Sequence, residues 1–150
     1  MNMKRCLTIL CLFIFSLFIY SQNIYLQNSK YNKDIIANVK NGIIYKGSTN
    51  YSSNIVAIFD GKYLYSGNAR ISSNIIGTWS NNKIYKGKST YQKDLIGIYR
   101  NNKLYFPNGI DIIFNYEKNK VYFGNFKYDE YLLVNTSGYI NPIIIYFLLI

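Results

Sequence analysis

Tyrosines stand at Tyr25, Tyr45, Tyr65, Tyr85 and Tyr105, a constant interval of twenty, and another follows at Tyr122. Each has an aliphatic residue directly before it: Ile24, Ile44, Leu64, Ile84, Leu104 and Val121. Glycine follows two places later at Gly47, Gly67, Gly87 and Gly124. A second column begins at Asp34, Asn54, Asn74 and Asp94, where the chain reads DIIANV, NIVAIF, NIIGTW and DLIGIY. A fixed period of this length requires an array of like supersecondary units, each burying its apolar face against its neighbours.

The unit is β. Its apolar runs are short, rich in Ile, Val and aromatic residues, and bounded by Gly, Asn, Asp and Ser. One register places two-residue turns at Asn41-Gly42, Gly61-Lys62, Asn81-Asn82 and Asn101-Asn102, residues that tolerate positive φ. It sets Val39 against Ile44, Phe59 against Leu64, Trp79 against Ile84 and Tyr99 against Leu104. Slipping by one residue would turn every side chain to the other face. A divergent fifth hairpin is expected with Lys118-Asn119 as its turn and Tyr116 opposite Val121. The small residues Ala37, Ala57, Gly77 and Gly97 form a third column, which suggests close backbone approach or an aromatic lying across the strand. Four copies at one level predict a tight waist around a pseudo-fourfold axis. The expected fold is therefore all-β, made of tandem hairpins of about twenty residues.

The connections between hairpins, such as GSTNYSSN over 47–54, are polar and carry Tyr31, Tyr51 and Tyr91, with Ile71 in the remaining copy. The Asx residue closing each connection fits a structural role, bonding loop backbone as Asx turns do. The functional reading makes these tyrosines a repeated ligand shelf. Tyr31, Tyr51 and Tyr91 are the candidate ligand-binding residues.

Ahead of the repeats, Lys4 and Arg5 precede an apolar run from Cys6 to Tyr20, and Ser21-Gln22 opens the polar sequence. This describes a secretory signal over residues 1–21; the rival reading is a retained membrane anchor. Cleavage there would remove both cysteines, Cys6 and Cys11, and with them disulfides and thiolate metal sites. The net charge is +10, of which Lys4 and Arg5 supply two charges. Scattered lysines in a chain rich in Asn, Ile, Lys and Tyr reflect an A- and T-rich coding sequence better than a nucleic-acid surface, so specific nucleic-acid binding is not expected. The repeat domain is expected over 22–138. The apolar segment 139–150 is too short to span a bilayer, which takes about 20 helical residues. It reads as a closing strand or a plug packed on the repeats, or else as a membrane-seeking tail.

Catalysis needs an acid, a base, a nucleophile or a metal in a defined site. The sequence has no histidine, and its seven acids, Asp34, Asp60, Asp94, Asp111, Glu117, Asp129 and Glu130, form no recognisable pair beyond the adjacent Asp129 and Glu130. No enzyme activity, cofactor or metal is expected.

The tandem pattern IYKGxSTY, followed by an Asx-aliphatic column and an apolar tail after Gly138-Tyr139, resembles the bacterial four-fold β-flower domain. The likeness covers Ile24 to Ile150 and is best in the copies beginning at Ile44 and Ile84. Phe106-Pro107 departs from it where Lys-Gly would stand. The resemblance implies a pseudo-fourfold β structure and no activity. Two other repeat types fit less well. Choline- and glucan-binding repeats need paired aromatic clusters, and this chain has one tryptophan, Trp79. Membrane-associated YxGxxxNG repeats, echoed by VYFGNF over 121–126, lack the long apolar second strand. The functional expectation is an exported, non-catalytic binding or scaffold module of the cell envelope whose partner is a glycan or another envelope component. The alternative is a self-assembling or membrane-associated protein acting through its tail.

Overall fold

A computed structural model describes residues 21–150. The expected signal segment lies outside the described residues, apart from Ser21. Twelve antiparallel strands close into a barrel. They are β1 (Gln22–Leu26), β2 (Ile35–Lys40), β3 (Ile43–Lys46), β4 (Ile55–Phe59), β5 (Tyr63–Ser66), β6 (Ile75–Ser80), β7 (Lys83–Lys86), β8 (Leu95–Arg100), β9 (Lys103–Tyr105), β10 (Ile112–Glu117), β11 (Lys120–Phe123) and β12 (Leu132–Thr136). One helix follows, α1 (Pro142–Leu149).

The expected turns and pairs are present. Val39 opposes Ile44, Phe59 Leu64, Trp79 Ile84, Tyr99 Leu104 and Tyr116 Val121. Both turn residues have left-handed φ at Asn41-Gly42, Asn81-Asn82 and Asn101-Asn102, while Gly61 carries φ +98° at the head of its turn.

The count of units corrects the fourfold expectation. There are six hairpins, because β12 pairs with β1, with Ile24 opposite Thr136 and Tyr25 opposite Asn135. The pairing repeats the other five, in which Tyr45 opposes Asn38, Tyr65 Ile58, Tyr85 Thr78, Tyr105 Ile98 and Tyr122 Asn115. Tyr25 therefore completes the last hairpin and does not begin the first. Closure through the two ends of the domain leaves no free edge among the twelve strands.

Neighbouring hairpins join through a bulge that recurs six times. Ile36, Val56, Ile76, Ile96, Ile113 and Leu133 are the extra residues, each skipped in the register between consecutive hairpins. The carbonyls of Ile36, Val56, Ile76, Ile113 and Leu133 accept the amides of Gly47, Gly67, Gly87, Gly124 and Gln27. Those five donors all have left-handed φ, which explains the glycine column. At the sixth place Pro107 has no amide to donate. There the loop is rebuilt around Asn108, whose side-chain oxygen accepts the amides of Ile110 and Asp111.

Inside, Ile24, Ile44, Leu64, Ile84, Leu104 and Val121 form a fully buried ring. The small-residue column does not close a fourfold waist, since Phe114 and Val134 occupy its last two places, opposite Leu104 and Val121. The space it leaves holds α1. A Cβ on Gly77 would lie 2.5 Å from the Phe147 ring and 3.2 Å from Ile143 Cδ1. The tail is thus a helix lying against the sheet interior. Asn141 accepts the Ile143 amide at 3.1 Å and Pro142 opens the first turn, which starts the helix where strand pairing has ended. Pro142, Ile143, Ile144 and Ile145 are buried.

Candidate functional site

Five of the six connections between neighbouring hairpins make a short 3₁₀ turn, at Asn32–Asp34, Ser52–Asn54, Ser72–Asn74, Gln92–Asp94 and Asp129–Tyr131. In the first four, the closing Asx side chain reaches back five residues. Asp34 accepts from Ser29 Oγ at 2.5 Å and Asp94 from Ser89 Oγ at 2.6 Å, while Asn54 donates to Thr49 Oγ1 at 2.6 Å and Asn74 to the Ala69 carbonyl at 3.4 Å. Carboxylate pairs with serine hydroxyl and amide with threonine hydroxyl or carbonyl, so the Asp/Asn alternation follows the residue it meets. Asp34 and Asp94 are therefore engaged in loop structure. Asp60 accepts the Lys62 and Tyr63 amides and the Tyr65 hydroxyl, Asp111 accepts from Asn108, and Glu117 and Asp129 face lysines.

The residue just before each 3₁₀ turn is held in extended conformation, and its carbonyl accepts the amide three residues on. Its side chain is left in solvent. Tyr31, Tyr51 and Tyr91 are 72, 70 and 72% exposed, and Ile71 is 54% exposed. Tyr128, 69% exposed, holds the same place in the loop after β11. The sequence reading missed it, although it follows Tyr122 at the distance by which Tyr31 follows Tyr25. The candidate tyrosines are not brought together into one pocket; each stands on its own loop.

Two of these loops border a groove between their own hairpin and the one before. One such groove, about 250 Å3, is lined by Lys62, Tyr63, Thr78, Lys88 and Tyr91. The corresponding groove between the fifth hairpin and the β12–β1 hairpin is larger, about 810 Å3, and its walls carry Tyr25, Lys30, Lys118, Lys120, Tyr122 and Asn135. Lys120 pairs with Asp129 at 3.5 Å and Lys127 with Glu117 at 3.2 Å beside it.

Inside the barrel wall behind this groove, Tyr116 carries the one buried side-chain polar atom without a hydrogen-bond partner among the described residues. Burial pushes its phenol well above the usual range, and Tyr99 and Tyr139 push the same way. A cavity of about 20 Å3 beside it, lined also by Tyr139 and Ile145, has room for one water. Among the described residues no three His, Cys, Asp or Glu side chains gather as a metal site, and no helix is long and apolar enough to cross a membrane.

No curated protein and no solved structure matches the chain. Residues 24–146 match the model of the family described as 6-fold beta flower protein. The match runs from the first buried aliphatic of the ring into α1, and its sixfold count agrees with the six hairpins that β1 and β12 complete. The chain belongs to the 6-fold beta flower family, a group of β-repeat proteins with no assigned activity.

Proposed function

We propose that this protein is a non-catalytic binding module, exported to the cell envelope, that holds a glycan or another envelope component through its loop aromatics. The observation that carries the reading is the exposure of Tyr31, Tyr51, Tyr91 and Tyr128 in a molecule whose repeated aliphatic column is fully buried. Their backbone positions serve the 3₁₀ turns, but the rings contribute little to packing, so folding alone gives no reason to repeat an aromatic there. Flat, rigid phenol rings stack on sugar faces at low entropic cost. Placing one ring per loop multiplies weak contacts by avidity. The local engagement of six of the seven carboxylates supports a role without catalysis. The alternative, attachment or assembly through the tail, is disfavoured by the burial of Ile143, Ile144 and Ile145 within the barrel.

The test is retention of the purified repeat domain on isolated cell envelopes and on a glycan array. Changing Tyr31, Tyr51, Tyr91 and Tyr128 together to Ser should weaken retention at least tenfold while leaving the melting temperature within a few degrees. Unchanged retention would refute the role of the tyrosines, and turnover lost on changing one carboxylate would refute the non-catalytic reading.

A further inference from the structure

One position recurs in all six hairpins, and in two of them it lines a groove between hairpins, as Thr78 and as Asn135. It is the residue opposite the repeat tyrosine: Asn38, Ile58, Thr78, Ile98, Asn115 and Asn135. Two of these are apolar. Asn38 accepts from Ser21 Oγ at 2.7 Å and donates to the Asn23 side chain. Thr78 Oγ1 donates to the Gly87 carbonyl at 2.7 Å, and the Asn115 amide donates to the Phe126 carbonyl at 3.3 Å. Asn135 alone of the polar four has no side-chain hydrogen bond within the described protein. Half-buried where the other three are buried, it lines the groove of about 810 Å3.

The charge of that groove is also unbalanced. Two of its four lysines, Lys120 and Lys127, are matched by Asp129 and Glu117. Lys30 and Lys118, on opposite walls of the groove, have no carboxylate partner among the described residues. The remaining lining mixes hydroxyl and amide groups, including Tyr25, Ser137 and Asn119, which can donate and accept. A volume of about 810 Å3 lies within the usual range for small-ligand sites. The two neighbouring carboxylates would repel a continuous phosphate backbone, whereas a ligand with spaced negative groups on a hydroxyl-rich frame matches both the free cations and the unspent amide.

We infer that the groove between the fifth hairpin and the β12–β1 hairpin binds an acidic oligosaccharide, with Lys30 and Lys118 meeting its carboxylates and Asn135 a hydroxyl. The inference rests on reading the protein as a non-catalytic binder, but it uses a site separate from the exposed loop tyrosines Tyr51 and Tyr91. Because Lys30 follows β1 while Asn135 lies on β12, bound sugar also bridges the strands that close the barrel. A ligand selective for the closed state stabilises it by mass action.

The experiment is calorimetric titration and thermal melting of the described domain with trigalacturonate, with neutral maltotriose and inorganic phosphate as comparison probes. Trigalacturonate should bind saturably below about 1 mM, weaken as salt rises and raise the melting temperature. Maltotriose and phosphate should bind at least tenfold more weakly. Changing Lys30→Gln with Lys118→Asn, which suits the left-handed turn position, should lower affinity at least tenfold without lowering the ligand-free melting temperature. The Tyr51→Ser/Tyr91→Ser pair should bind trigalacturonate as the parent does, which separates this site from the tyrosine reading. Absence of saturable binding, phosphate binding as tightly as the sugar, or unchanged affinity in the lysine variant would each overturn the assignment.

Discussion

The four hairpins from β2 to β9 each close through a two-residue turn, whereas β12 and β1 meet from opposite ends of the domain, with Asn23 and Ser137 separated by 114 positions in the chain. The first arrangement makes mostly local contacts and repeats its chemistry closely. The second bears the closure entropy of nearly the whole domain and must be fastened by other means. Ser137 Oγ accepts the Asn23 amide at 2.8 Å, the Ser137 amide donates to the Asn23 carbonyl at 2.9 Å, and Thr136 Oγ1 donates to the Gly138 and Asn119 carbonyls. On the other side of β12, against the fifth hairpin, lies the groove of about 810 Å3 in which Asn135 makes no side-chain hydrogen bond within the described protein. Repetition builds the wall of this barrel, and departure from repetition supplies its distinctive surface.

Removing the tail tests the comparison most severely, since α1 fills the interior beside both halves. Truncation after Asn141 exposes the inner ring and removes Ile143, Ile144 and Ile145, worth on the order of 6 kcal/mol at about 2 kcal/mol each. That is comparable with a domain's entire stability. Loss of the cooperative thermal transition is expected; an unchanged melt would show that the barrel stands without its filling.

Ile84 and Ile24 are equally buried members of the same ring, one in the regular half and one at the seam. Each change to Ala should cost roughly 2–5 kcal/mol in urea denaturation. A loss at Ile24 smaller by more than half would mean the seam is looser than its geometry implies.

Gly77→Ala drives a methyl into the Phe147 ring and should cost about 1–3 kcal/mol. Adding Phe147→Leu should recover most of it. Gly97→Ala presses closely only on Leu104 Cδ1, at 2.9 Å, with Leu104 Cγ and the Tyr105 carbonyl at 3.5 and 3.6 Å, and should be milder. Equal losses at the two glycines would displace α1 from the β6 side of the barrel.

Turn substitutions should differ in sign between the halves. Asn81→Ala places alanine at φ +50° and should lose about 1 kcal/mol. Lys118→Gly relieves a lysine at φ +55° and should gain up to about 1 kcal/mol. Matching losses would mean that the Lys118 side chain holds the fifth turn.

The smallest effect concerns Asp60. Burial raises its carboxyl, but the Tyr63 and Lys62 amides, the Tyr65 hydroxyl and the Arg70 charge outweigh this and hold it below its ordinary value of 3.8. A lowered folded-state pKa stabilises above the unfolded value and is lost as the pH falls through the folded one. Asp60→Asn should therefore be less stable than the parent at neutral pH, and the gap should close below about pH 3.8. A gap that persists into acid would assign the effect to hydrogen-bond geometry rather than charge.

Sequence periodicity alone determined the β class, the four regular turns, the facing pairs and the buried aliphatic column. Each is a local consequence of alternation and turn chemistry repeated every twenty residues. Tyr31, Tyr51 and Tyr91 were legible as a loop column for the same reason, and Tyr128 was legible in principle. The count of six was not, because the last hairpin is divided between β1 and β12 and no local pattern says that Tyr25 answers Asn135. Nor could periodicity assign the purpose of Gly77, whose missing side chain is explained by Phe147, seventy residues away in the chain. The helical form of the tail and the width of the groove between β12 and the fifth hairpin were likewise decided only in the closed barrel. Closure brings strangers in sequence face to face, and which of their hydrogen bonds and charges remain unspent is settled only by that meeting.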